Sequence, residues 1–75
     1  MDTKNLTLGE LIMTVRRRAK LTQTKLAQQV GVHISTISRW ERNVATEEMP
    51  LKCFVKIAKA TNTPVSDFLS LQEGS

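Results

Sequence analysis

"LTQTKLAQQVGVHISTISRWER", residues 21–42, is the stretch on which the fold turns. Two helix-length segments flank a single glycine. Thr22 is placed to cap the first, with Leu21 and Leu26 at the spacing of a hydrophobic staple. Leu26, Ala27 and Val30 share one side of that helix, and Gly31 supplies the left-handed residue that commonly follows a helix end. A second staple pair, Val32 and Ile37, brackets His33 as the N-cap of the next helix, although histidine is a poor capping residue. That helix buries Ile37, Trp40 and the stem of Glu41 and ends near Arg42. Ile34, Ser35, Ser38 and Arg39 then fall on the opposite side. A helix that only solvates itself usually shows Glu and Lys outward, whereas this one shows small hydroxyls, a methyl-rich side chain and a guanidinium. The two helices and their tight turn form a helix-turn-helix, with the outer face of the second helix left free.

Working outward, Thr7 and Glu10 have capping-box spacing, and Leu6 and Leu11 have staple spacing. Leu8, Leu11, Ile12, Val15 and Ala19 recur at helical intervals, so the first helix is expected from about Leu8 to about Lys20. After the loop "NVATEEMP", Pro50 sits at or near the first turn of a fourth helix. Leu51, Phe54, Val55 and Ala58 are its expected inner face, with Ile57 beside it and Lys52, Lys56 and Lys59 outward. Asn62 can stop that helix. Thr63 and Pro64 can start a short fifth one that turns Val65, Phe68 and Leu69 inward, before a frayed "SLQEGS". No strand-like alternation, repeat or low-complexity run interrupts this reading. The expectation is an all-α domain of five short helices spanning residues 1–75, with an ordered core over about 6–70.

Composition narrows the function. With 75 residues, 40% of them hydrophobic, the chain suits one small domain with a modest core. One cysteine and one histidine leave neither an internal disulfide nor the four ligands of a structural zinc site. No apolar run approaches the roughly 20 residues needed to span a bilayer, and "MDTKNLTLGE" lacks the basic-then-apolar pattern of a signal peptide. The expected location is the cytoplasm, in association with the nucleoid. The net charge of +4 is concentrated in the front half, with "RRRAK" at 16–20 and Arg39 and Arg42 beyond. A polyanionic partner and a solvated basic helix end both explain this charge.

A projecting helix of this width fits the DNA major groove, which is about 12 Å across. Hydroxyls can donate or accept there, arginine can bond guanine bidentately, and an apolar side chain can meet a thymine methyl. The chain also resembles the Cro/phage-repressor (Xre-type) helix-turn-helix family. The likeness runs through "LGELIMTVRRRAKLTQTKLAQQVGVHISTISRWERN" and continues in "PLKCFVKIAKATNTPVSDFL". The resemblance implies a compact lambda-repressor-like domain that binds double-stranded DNA through its third helix, over about 34–42. It implies that Ile34, Ser35, Ser38 and Arg39 face bases. Thr22 and Gln23 sit at the helix start that grips phosphate, while Arg16, Thr36 and Arg42 approach the backbone. It also pairs Arg16 with Glu41, a contact worth at most about 1 kcal/mol if exposed. Three positions depart from the family pattern. Asn43 stands where glycine is common, His33 replaces a usual Ser or Thr cap, and the next loop is about two residues longer and carries Glu47 and Glu48.

The plainer reading stands beside each of these residues. Trp40 is a core residue before it is a stacking platform. Cys53 is a half-buried small hydrophobe before it is a nucleophile. His33 is a cap or phosphate contact and not a metal ligand, and Glu41 orients Arg16. Arg17 and Arg18 are split between solvated and phosphate-touching roles. The expected function is sequence-specific transcriptional regulation from a palindromic operator by a homodimer, with repression the first expectation. No catalysis, cofactor, metal, membrane or small-molecule ligand is expected. The alternative is a protein-interaction module of the same fold, such as an antitoxin or adaptor.

Overall fold

The computed structural model describes residues 6–68, and these are helical throughout their ordered elements. They form α1 (Leu8–Arg18), α2 (Gln23–Val30), α3 (Ile34–Glu41) and α4 (Leu51–Ala60), with a 3-10 turn at Thr46–Glu48 between α3 and α4. A fifth helix, α5, occupies 65–68. Leu69 and "SLQEGS" lie outside the described residues.

The starts of the first three helices follow from their caps. Thr7 accepts from the Glu10 amide at 3.2 Å and Glu10 accepts from the Thr7 amide at 2.9 Å, which closes the capping box of α1. Thr22 Oγ1 accepts from the Lys25 amide at 3.0 Å to head α2. His33 heads α3 with its ring nitrogen. Ahead of each cap, Leu6, Leu21 and Val32 pack half-buried against the core. Their staple partners Leu11, Leu26 and Ile37 are almost wholly buried.

The ends of the helices share one device. Lys20, Gly31, Asn43 and Asn62 all take positive φ just beyond α1, α2, α3 and α4. In each case the following amide reaches back to close the last turn: Leu21 to the Arg16 carbonyl, Val32 to Ala27, Val44 to Arg39 and Thr63 to Ala58. This is why α1 stops at Arg18 and not at Lys20 as expected from its apolar spacing.

The core gathers Leu11, Ile12 and Val15 from α1, Leu26, Ala27 and Val30 from α2, and Ile37 and Trp40 from α3. Cys53, Phe54, Ile57 and Ala58 join from α4, and Phe68 from α5. Phe54 and Phe68 meet edge to face at 6.3 Å between ring centroids, which seats α5 on α4. Two expectations for α4 are corrected. Cys53 is buried rather than half-buried, and Leu51, expected inward, is 64% exposed. A helical side chain leans over the turn before its own Cα. Leu51 is the first residue of α4, so no turn lies there, and the buried Met49 supplies the apolar group at that end instead. Pro50 stands next to the first turn, as the N-cap residue.

Candidate nucleic-acid interface

The outer surface of α3 is set by what its inner surface must hold. Ile37, Trp40 and Glu41 are buried, and Trp40 at 6% exposure is a core residue. With that side fixed, Ile34 stands out at 39% exposure, Ser35 and Arg39 are exposed, and Ser38 and Thr36 are half-buried beside them. Arg42, exposed just past the helix end, donates through Nε to the Ser38 carbonyl at 3.3 Å. All four residues proposed to face bases therefore lie on α3, with Thr36 and Arg42 at their margin.

One carboxylate fixes how α3 is presented. Glu41 Oε2 accepts from Arg16 Nε at 2.6 Å, and Oε1 accepts from Arg16 Nη2 at 3.2 Å. Gln23 Nε2 also donates to Oε1, at 2.9 Å. Arg16 Nη1 reaches the Leu21 carbonyl at 2.9 Å. Glu41 thus ties α1, α2 and α3 together. The side chains are only 12% and 3% exposed for Arg16 and Glu41, so the weak coupling expected of an exposed pair does not apply here. A buried pair that loses one partner leaves a desolvated charge, which costs about 3–5 kcal/mol. Gln23 brings its side-chain amide into this cluster, while Thr22, Thr24 and Lys25 stay exposed around the start of α2. The N–H groups of a helix's first turn point out of its end and suit an anion. Thr22, exposed, stands at that end.

A second polar bridge was not expected from the sequence. Asn43 Oδ1 accepts from the Gly9 amide at 2.8 Å, and Asn43 Nδ2 donates to Thr7 Oγ1 at 2.9 Å. Asn43 therefore does more than tolerate the left-handed turn: it pins the end of α3 to the start of α1. Gly9 lies beneath this bridge. A Cβ there would fall 2.5 Å from the Trp40 carbonyl oxygen and 2.7 Å from that of Glu41. The signal for Gly9 is its helix-disfavouring type inside an otherwise strong capping sequence.

The flanks carry charge of both signs. Arg17, Arg18, Lys20 and Lys25 are exposed, as are Glu47 and Glu48 on the 3-10 turn. Among the described residues, no group of three or more His, Cys, Asp or Glu gathers to hold a metal ion. No described helix is long and apolar enough to cross a membrane.

A helix-turn-helix family model matches residues 12–68, from Ile12 in the first half of α1 to Phe68. The HTH-type transcriptional regulator DicA of Escherichia coli (strain K12) is 45% identical over 42 residues, or 56% of this chain. The chain spans 31% of that relative's length.

Proposed function

We propose, from the premise that this chain belongs to the Cro/Xre-type helix-turn-helix family of DNA-binding transcription regulators, that it binds double-stranded DNA sequence-specifically by laying α3 in the major groove. The observation that carries this reading is the make-up of the outer surface of α3. Ile34 and Arg39 stand exposed with Ser35 on a helix whose other side is locked into the core. An aliphatic group, a hydroxyl and a guanidinium match the methyl, amino and guanine edges that the groove displays.

In this proposal Ile34, Ser35, Ser38 and Arg39 read bases. Phosphates meet the backbone at the start of α2, beside Thr22 and Gln23, together with Thr36, Arg42 and the rim of Arg16. The Arg16–Glu41 pair acts at one remove, by fixing the angle of α3. The protein works as a homodimer on a palindromic operator and represses transcription from it. The longest dimension of the domain is 29 Å, whereas half-sites one helical turn apart lie about 34–36 Å from one another. Two copies span that distance and double the base contacts. The end of α4 and α5 form the proposed dimer surface, since they leave α2 and α3 free.

Selection of bound duplexes from random DNA tests the reading. A palindromic sequence should emerge, and binding should weaken with salt by a log–log slope of about −0.9 per phosphate neutralised. Arg39→Ala should cost about 1–3 kcal/mol on the selected site and much less on unrelated DNA. Arg39→Lys should not fully restore it, because an ammonium lacks the planar fork. Equal losses on both DNAs would move Arg39 from base to phosphate. Failure to enrich any sequence would remove the proposed function.

A further inference from the structure

At the start of α3, two bonds converge on one atom. The Ser35 amide lies 3.2 Å from His33 Nδ1, and Ser35 Oγ lies 2.9 Å from the same nitrogen. A backbone N–H can only donate, so Nδ1 must present its lone pair and the ring proton must sit on Nε2. With Nδ1 fixed as an acceptor, the Ser35 hydroxyl at 2.9 Å is the donor in the second bond. Its single hydrogen is then spent on the cap. What Ser35 has left to offer outward is oxygen lone pairs.

A serine in a groove ordinarily meets either kind of base edge, because its hydroxyl rotates to suit. Here rotating the hydrogen outward would break its bond to His33 Nδ1. We infer that His33 turns Ser35 into an acceptor-only reader, which selects an amino base, adenine or cytosine, over a keto base, guanine or thymine, on the strand it faces. The amino groups at adenine N6 and cytosine N4 are the major-groove donors that a lone pair can meet, whereas guanine and thymine present acceptors there. His33 is thus a positioning residue for specificity, in addition to heading the helix. The inference rests on the proposed reading of DNA by α3.

The test uses the full chain and four proteins in parallel selections from random duplexes: wild type, Ser35→Ala, His33→Gly and His33→Asn. The position that loses its preference in Ser35→Ala identifies the base pair beneath Ser35. Glycine caps a helix only slightly less well than the best residues, so His33→Gly keeps α3 while removing the acceptor. Asparagine restores a neutral acceptor at the cap.

Wild type should favour amino over keto bases at that position by roughly three- to tenfold, the range of one net hydrogen bond. His33→Gly should erase this preference there and leave the other positions unchanged, and His33→Asn should keep it. A purely structural cap predicts the contrary, an affinity change spread over all sequences with base identity untouched. Long-range proton–nitrogen spectra of the free wild-type protein at about pH 8 should show the Nε2–H tautomer. A keto preference, no preference, or an amino preference that survives in His33→Gly overturns the inference while leaving DNA reading intact. An Nδ1–H tautomer overturns it without any DNA present. If wild type enriches no sequence, the proposed function falls and this inference falls with it.

Discussion

Around Glu41 the helices meet through charge and directed hydrogen bonds; around Phe54 and Phe68 they meet through apolar surface. The first joint links α1, α2 and α3 by Arg16, Gln23 and Glu41, with Asn43 holding Gly9 and Thr7 nearby. The second buries Cys53, Phe54, Ile57, Ala58 and Phe68. Apolar contact is non-directional and tolerates small rotations. Hydrogen bonds are directional, so a carboxylate shared among three helices fixes an angle. The polar joint ends on the helix proposed to read DNA, and the apolar joint seats α5 on α4. On the proposed reading, directed bonds add an orientation to α3 that the apolar packing of Ile37 and Trp40 alone would leave looser.

The largest expected effect breaks the polar joint. Glu41→Ala removes the shared acceptor and strands Arg16, and should cost about 3–5 kcal/mol in urea unfolding. For so small a domain that approaches the whole stability. Arg16→Ala should cost a similar amount, and the double variant much less than the two added together, because each single change leaves a buried partner exposed to the same penalty. Additive losses would mean that the two side chains act independently. A truncation at the apolar joint such as Ile57→Ala should cost about 2–5 kcal/mol. Provided the variant remains folded, its ranking of DNA sequences should not change.

The next effect sharpens the comparison by reversing a general rule. Gly→Ala inside a helix normally stabilises by roughly 0.5–1 kcal/mol. Gly9→Ala should instead destabilise by about 1–3 kcal/mol, the range for overpacking a tight site. The clash would be with the carbonyl oxygens of Trp40 and Glu41, which are backbone and cannot swing away. Thermal unfolding of the two proteins decides the sign. A rise in Tm would show that α1 and α3 separate easily, and that the polar joint is looser than its bonds imply.

Much of this was open to reading from the sequence, for physical reasons that also mark where reading stops. Caps and staples are local patterns no more than about six residues long, so the starts of α1, α2 and α3 are legible at Thr7, Thr22 and His33. The inner side of α3 is legible because Ile37 and Trp40 leave only one way to face. Leu51 misleads because periodicity says which side of a helix a residue is on, but not whether anything lies opposite the first turn. Gly9 and Asn43 stand 34 residues apart, and nothing local in either links them. The pair of hydrogen bonds from Ser35 to His33 is equally hidden. Residue type makes His33 a weak cap, and only the approach of both Ser35 groups to one ring nitrogen shows what that cap does to its neighbour.

The smallest expected effect separates two residues that share a backbone conformation. Lys20 and Asn43 both hold left-handed φ, at 60° and 64°, each just past a helix end where glycine is the least strained choice. Lys20 closes α1 through its backbone, with the Leu21 amide on Arg16 and its own on Arg17. Lys20→Gly keeps those bonds and removes the strain of a side chain at positive φ. Against that gain stands the greater freedom of glycine in the unfolded chain, so the net stabilisation should be at most about 1 kcal/mol. Asn43→Gly relieves the same strain but deletes the bonds to Gly9 and Thr7, and leaves the part-buried Gly9 amide without its acceptor. An unsatisfied buried donor costs about 1–3 kcal/mol, which outweighs the relief. The two substitutions should therefore move the unfolding midpoint in opposite directions, up for Lys20→Gly and down for Asn43→Gly. Parallel upward shifts would show that Asn43 serves only its own turn, and that the join of α1 to α3 rests on Glu41.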